Sequence, residues 1–213
     1  MKTAELVQLL SEDAGPVRAR PVAPRLIAAG LVGSLVSLGL LLALLGLRPL
    51  GPAMATPSFW MKGGYTLVIA LAGLLAAVRL ARPGGRIGAA AAVLAFVAVC
   101  WLAMMGMMET MRTPAAQVHH LWMGDTWRMC PWRILILALP VCAATLWVLR
   151  RLAPTRPGLA GAAAGVFAGA VGATVYGFYC QETTAAFVVV WYTLGIAASG
   201  LLGALIGARL LRW

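Results

Sequence analysis

Four cysteines hold most of the chemistry this chain can offer, and their surroundings divide them. Cys100 and Cys142 lie inside long apolar runs, where a thiol behaves as a small hydrophobe. Cys130 stands just before Pro131 at the start of one apolar run, and Cys180 at the close of the next. If those runs are antiparallel helices joined by a short loop, the ends bearing Cys130 and Cys180 are neighbours. Packed helices lie about 8–10 Å apart, whereas a disulfide needs Cα atoms within about 7 Å. A small movement then makes or breaks the bond, so the pair is either a permanent staple or a thiol switch. The two sulfurs are also unequal. Cys130 sits at a helix N-terminus beside Arg128 and Arg133, a positive field that favours attack by its sulfur; Cys180 sits at a helix C-terminus beside Glu182. Cys130 is therefore expected to react first and Cys180 to resolve.

A metal version of the same site is open. His119, His120, Asp125, Glu109 and Glu182 fall towards the same end as the two cysteines, and soft or borderline metals take sulfur and nitrogen ligands. Zinc or another thiophilic metal at Cys130 and Cys180, with His119, His120, Asp125 and Glu182 as further ligands, is the candidate cofactor. No CxxC or HExxH spacing supports it, and adjacent histidines on a helix point about 100° apart. Met104, Met107, Met108 and Met111 share a helical face that suits Cu(I), but such stripes also serve packing.

The elements that position these residues are legible from where charge is missing. Leu26–Leu47, Gly63–Val78, Ile87–Met108, Ile134–Leu149, Pro157–Gln181 and Thr183–Ala208 contain no Lys, Arg, Asp or Glu. Roughly 20 apolar residues in a helix cross a bilayer core, and backbone polar groups must pair internally in lipid. The two shorter runs reach that length if Lys62 and Arg150 snorkel. The chain thus reads as an all-α membrane protein, a six-transmembrane-helix bundle with spans at about 26–47, 60–79, 87–108, 133–150, 157–179 and 184–208. A composition 62% hydrophobic, with mean hydropathy +0.90, agrees.

Charge sets the orientation. With the N-terminus cytoplasmic, the inner segments hold 12 of the 17 Lys and Arg residues and the outer segments 5, so both termini are expected inside. The net charge of +11 is then a topology signal, and direct nucleic-acid binding is not expected. Residues 1–24 form an inner tail whose first part reads as a short amphipathic helix with Leu6, Val7, Leu9 and Leu10 on its apolar stripe. Residues 25–213 form the membrane domain. The longest outer loop, about Glu109 to Pro131, reads as a short helix over Ala115–Met123 with Thr113 as N-cap and Gly124 after its end. Gly161, Gly165 and Gly169, and likewise Gly203 and Gly207, repeat every fourth residue. That spacing serves close helix packing, either within the bundle or between two copies.

The segment Gly124-Asp125-Thr126-Trp127-Arg128-Met129-Cys130-Pro131-Trp132-Arg133-Ile134 resembles the G-x-T-W-x-x-C-P-W-x-I signature of NrsF-type (negative regulator of sigma factor F) membrane proteins. Arg151–Arg156, Val175-Tyr176 through Cys180, Phe187 with Trp191-Tyr192-Thr193-Leu194-Gly195, and the terminal Leu210-Leu211-Arg212-Trp213 resemble further family segments. Tyr179 and Gln181 depart from it, standing where His and Pro are common. The resemblance implies an anti-sigma factor of the bacterial inner membrane. Such a protein sequesters an extracytoplasmic-function sigma factor and releases it when outer-side cysteines meet oxidants or heavy metals. It implies that Cys130 and Cys180 are the sensing pair, and that the tail, with Leu6, Val7, Leu9 and Leu10, binds the sigma factor.

Two other classes fit less well. A membrane thiol/disulfide oxidoreductase needs a second cysteine couple, and a small metal transporter needs polar ligands at mid-depth. Catalysis is not expected.

Overall fold

The computed structural model describes residues 21–212; the tail positions Leu6, Val7, Leu9 and Leu10 lie outside the described residues. Every regular element among the described residues is helical: α1 (Val22–Leu44), α2 (Leu50–Met54), α3 (Pro57–Leu80), α4 (Ala89–Arg112), α5 (Ala115–Met123), α6 (Cys130–Arg150), α7 (Pro157–Tyr176) and α8 (Ala185–Leu210). Six of these, α1, α3, α4, α6, α7 and α8, are long and apolar enough to cross a membrane. Prolines open several of them. Pro57 and Pro157 lead α3 and α7, and Pro131 sits in the first turn of α6, where a missing N–H costs nothing.

Helix α7 is the centre of the bundle. In its most apolar stretch 67% of residues are buried, against 22% in α4, and it packs against α8, α3, α6 and α1. The glycine repeats explain the closeness of α7 and α8. A Cβ added at Gly165 would stand 2.9 Å from Gly200 Cα, and one at Gly207 2.7 Å from Gly161 Cα. Of the two partners the spacing allowed, these glycines therefore meet within one chain. The large exposed side chains, among them Leu35, Phe96 and Leu201, face outward around the rim, as in a bundle solvated by lipid.

Two irregularities shape the helices. Pro140 interrupts the α6 backbone ladder, and the buried Ser37 hydroxyl of α1 reaches the Leu137 carbonyl beside it at 2.6 Å. In α8, residues Val188–Tyr192 form a π-helical turn, which turns Tyr192 into the core.

The observed helices differ from the charge-free runs at their ends. Helix α7 stops at Tyr176, three residues short of the expected 179, because Gly177–Tyr179 tighten into turns whose N–H groups bond back to Ala173, Thr174, Val175 and Tyr176. Cys180 therefore lies in an irregular linker, and does not close the helix. Helix α6 begins earlier than 133, at Cys130 itself. Helix α5 spans Ala115–Met123 as expected, but Pro114 precedes it as the capping residue; the Thr113 hydroxyl instead donates to the Glu109 carbonyl at 2.8 Å.

Candidate functional site

One end of the bundle gathers the residues with chemistry to offer. Cys130, the first residue of α6, and Cys180, in the α7–α8 linker, are both free thiols and both buried, 0% and 1% exposed. Charged side chains lie with them, and Lys62 is the buried one. Lys62, in the second turn of α3, is 2% exposed. Its ammonium does not snorkel to solvent as the sequence suggested. It turns inward and donates to the carbonyl oxygens of Cys180, at 3.2 Å, and of Glu182. The reason is the irregular linker: its carbonyls lack helical partners, and a buried unpaired carbonyl is costly. Lys62 lies within electrostatic range of Cys180, Arg48, Glu182 and Cys130.

Glu182 joins the linker to the loop before Cys130. Its Oε1 accepts from the Asp125 and Thr126 amides, at 2.9 and 3.1 Å, and from the Thr126 hydroxyl at 3.0 Å. Thr126 in turn accepts the Cys130 N–H at 2.9 Å. A continuous chain of bonds therefore runs from Lys62 through the Cys180–Glu182 linker and Thr126 to Cys130. Gly124 is required by this arrangement. It has φ +56°, and a Cβ there would stand 2.6 Å from Glu182 Oε2.

Aromatic side chains wall the site. Tyr176 and Tyr192 are fully buried with ring centroids 5.8 Å apart, and neither hydroxyl has a hydrogen-bond partner among the described residues. Tyr179, one of the two departures noted above, lies under the Arg133 guanidinium, 5.1 Å from ring centroid to Cζ. Trp127 and Trp191 pack with centroids 5.2 Å apart, and Trp191 Nε1 donates to the Trp122 carbonyl at 2.9 Å. Glu109, at the end of α4, accepts from the Ala185 and Ala186 amides at 2.8 and 3.2 Å and so holds the start of α8.

The thiols differ in access. Cys180 lines a cleft of about 400 Å³ together with Asp125, Thr126, Tyr179, Gln181 and Glu182; Cys130 does not reach it. Of the metal candidates, Asp125 and Glu182 share that cleft, but His119 and His120 do not. Both histidines are exposed on α5, and His120 Nε2 meets Asp125 Oδ1 at 3.3 Å on the surface. No group of three or more His, Cys, Asp or Glu among the described residues is placed to hold a metal ion. The methionines Met104, Met107, Met108 and Met111 face outward from α4, and Cys100 is exposed there too. The donor set at the thiols is thus two sulfurs, which suits a two-coordinate thiophilic ion and falls short of a tetrahedral zinc site.

Sequence reading missed Lys62, Thr126, Tyr176 and Tyr192 as members of the site. The signal was present for three of them, since Thr126 lies in the G-x-T-W segment and the tyrosines in the two later segments. Lys62 carried a signal of another kind, as the one charge at the entry to an otherwise apolar helix.

Comparison with known proteins fits this distribution. The profile of the family described as NrsF, Negative regulator of sigma F, matches residues 10–213. The chain belongs to the NrsF family. Among curated relatives, the Anti-sigma-F factor NrsF of Caulobacter vibrioides (strain NA1000 / CB15N) is 45% identical over 217 aligned positions, and the alignment covers the whole of both chains. The Probable anti-sigma-F factor NrsF of Azospira oryzae (strain ATCC BAA-33 / DSM 13638 / PS) is 40% identical over 214, again along both chains entire. No solved structure matches the chain.

Proposed function

We propose that this NrsF-family protein is an anti-sigma factor of the bacterial inner membrane that holds an extracytoplasmic-function sigma factor inactive and releases it when its thiol pair reacts. The observation that carries the proposal is the full-length match to two anti-sigma-F factors, joined to a buried thiol pair at one end of the bundle. The excess of Lys and Arg in the remaining loops supports an orientation with the thiol end outside and both termini in the cytoplasm. The sigma factor then meets the tail of residues 1–24, whose Leu6, Val7, Leu9 and Leu10 supply anchors for a groove.

The geometry orders the chemistry. An oxidant entering through the cleft reaches Cys180 before Cys130, because only Cys180 lines it. This reverses the order that helix-terminal fields suggested: for buried groups, access outweighs local field. With a hydroperoxide, the Cys180 sulfur takes one oxygen to give a sulfenic acid and the alcohol. The Cys130 thiol then displaces water to close the disulfide. Two thiols lose two electrons and two protons, and the peroxide gains them. A thiophilic metal ion would be held by the sulfurs of Cys130 and Cys180, whose protons would pass to water, and would supply a link between them in place of the disulfide.

Co-purification tests the proposal. The detergent-solubilised chain is isolated with its tagged cognate sigma factor, with and without hydroperoxide or a thiophilic metal ion. Co-elution lost on treatment, but kept in Cys130→Ser and Cys180→Ser, is the expected result. No co-elution in the untreated wild type would overturn the anti-sigma assignment. Equal release from both serine variants and wild type would leave that assignment and remove the thiols from it.

A further inference from the structure

Elsewhere among the described residues, side chains that reach a backbone carbonyl of another element are neutral, including the Trp191 indole on Trp122. Ser37 serves Leu137, and Thr184 serves Leu121 at 3.0 Å. At the α7–α8 linker the same task falls to a buried ammonium. Such a group loses its hydration and needs more compensation than a hydroxyl does. Its choice at this one place calls for a reason beyond filling two acceptors.

The reason lies in what moves when the thiols join. Cys130 is fixed: it opens α6, and its N–H is bonded to Thr126. Cys180 keeps one such bond, from its N–H to the Tyr176 carbonyl at 3.0 Å, but it opens no helix, and residues 181–184 after it are irregular backbone. A disulfide holds its sulfurs about 2.05 Å apart, well inside the contact distance of two free thiols. Joining the pair therefore draws the Cys180 side, and with it the two carbonyls that Lys62 holds. Among the described residues the Lys62 ammonium is the only side chain bonded to both of those carbonyls, and it stands on a different helix. Below it, α3 is tied to the core by two further polar contacts: the Thr174 hydroxyl donates to Thr66 at 2.9 Å, and the Tyr65 and Thr193 hydroxyls meet at 2.6 Å. At the opposite end α3 runs into the turn at Gly84, whose N–H donates to Thr155 of the α6–α7 loop at 3.1 Å.

We infer that Lys62 is the positioning residue that couples the thiol pair to α3: it holds the helix to the Cys180–Glu182 linker while the thiols are free, and loses that hold when they are joined. The inference rests on the thiol-gated anti-sigma reading above and adds to it the element that carries the signal away from the cysteines. A coupling element of this kind has two arrangements, bonded and released, and the state of the sulfurs selects between them.

The test uses the full-length protein in nanodiscs, with wild type, Lys62→Met, Lys62→Gln, Lys62→Arg and the Cys130→Ser/Cys180→Ser double variant measured side by side. One readout is the rate at which Cys180 is alkylated by a maleimide; the other is retention of the sigma factor before and after hydroperoxide. Lys62→Met should label Cys180 about tenfold faster than wild type, since the linker opens more often without its charged anchor. It should still form the disulfide, yet retain the sigma factor poorly even when reduced. Lys62→Arg should restore slow labelling and oxidant-dependent release, which a loss of packing volume would not predict. Lys62→Gln keeps a donor for one carbonyl and should fall between. If Lys62→Met fails to give a monodisperse protein, Lys62→Gln carries the same comparison. Wild-type labelling and wild-type release in the folded variants would overturn the inference while the thiol-gated reading stands. A wild type that releases no sigma factor on oxidation, or a double serine variant that still does, would overturn both.

Discussion

The two ends of α7 are held by opposite means. Towards its start, Gly161 and Gly165 let the backbone of α8 approach until no side chain fits between them. At its finish the helix unravels at Gly177, and the linker that follows is held by a lysine, a glutamate and a threonine. Backbone contact of the first kind is either kept whole or lost, because nothing in it can rotate aside. Polar bonds of the second kind exchange one at a time, each a modest fraction of the fold's stability. One end is a fixed rod and the other a latch, and the proposed thiol response needs both: motion at the latch is useful only if the rod does not absorb it.

Substitutions at three positions press on that contrast, in decreasing order of effect. Gly165→Leu places a branched side chain against Ser199 and Gly200. Overpacking of this kind costs roughly 3 kcal/mol or more where backbone opposes backbone, and the expected outcome is loss of the monodisperse peak in detergent. A well-behaved Gly165→Leu with an unchanged thermal midpoint would remove the rod from the account. Glu182→Ala orphans the Asp125 and Thr126 amides and should lower stability by about 2 kcal/mol, read as a drop in thermal midpoint. Glu182→Gln keeps an acceptor and should lose roughly half as much. Equal losses would mean that the carboxylate charge, rather than the bonding of the Gly124–Thr126 turn, holds the latch. Cys100→Ser, on the exposed face of α4, should change the thermal midpoint by less than about 0.5 kcal/mol equivalent and leave the response to oxidant intact. A lost response there would show that the sulfur chemistry extends beyond one end of the bundle.

Much of the rod and little of the latch was legible in the sequence. Charge-free runs located all six long helices, because lipid forbids unpaired backbone and so ties length to composition. The glycine repeats announced a close interface, but spacing alone does not say which helix, or which copy, lies opposite. Cys130 and Cys180 could be paired from topology. Lys62 could not, because a lysine near a helix end has two ways to escape an apolar setting, outward to water or inward to carbonyls, and the choice depends on a break in another helix 115 residues and more away. That break, at Gly177, leaves no mark in the hydropathy of the run it interrupts. The nearness of Glu182 to Cys180 is plain from the sequence, but the turn that claims its carboxylate is not, since it forms only when α5 folds back over the linker.

The tilted indoles of Trp127 and Trp191, 45° apart in plane, offer the latch a signal of its own. Trp127 follows the turn held by Glu182, and Trp191 rides on the π-helical turn beside Tyr192, so the pair straddles the parts that separate when the linker moves. Two indoles 5.2 Å apart share their electronic transitions, and their near-ultraviolet circular dichroism and emission report their mutual angle. On the proposed mechanism, joining the sulfurs changes that angle, and the near-ultraviolet signal of the unlabelled chain should change with it above the background of its other six tryptophans.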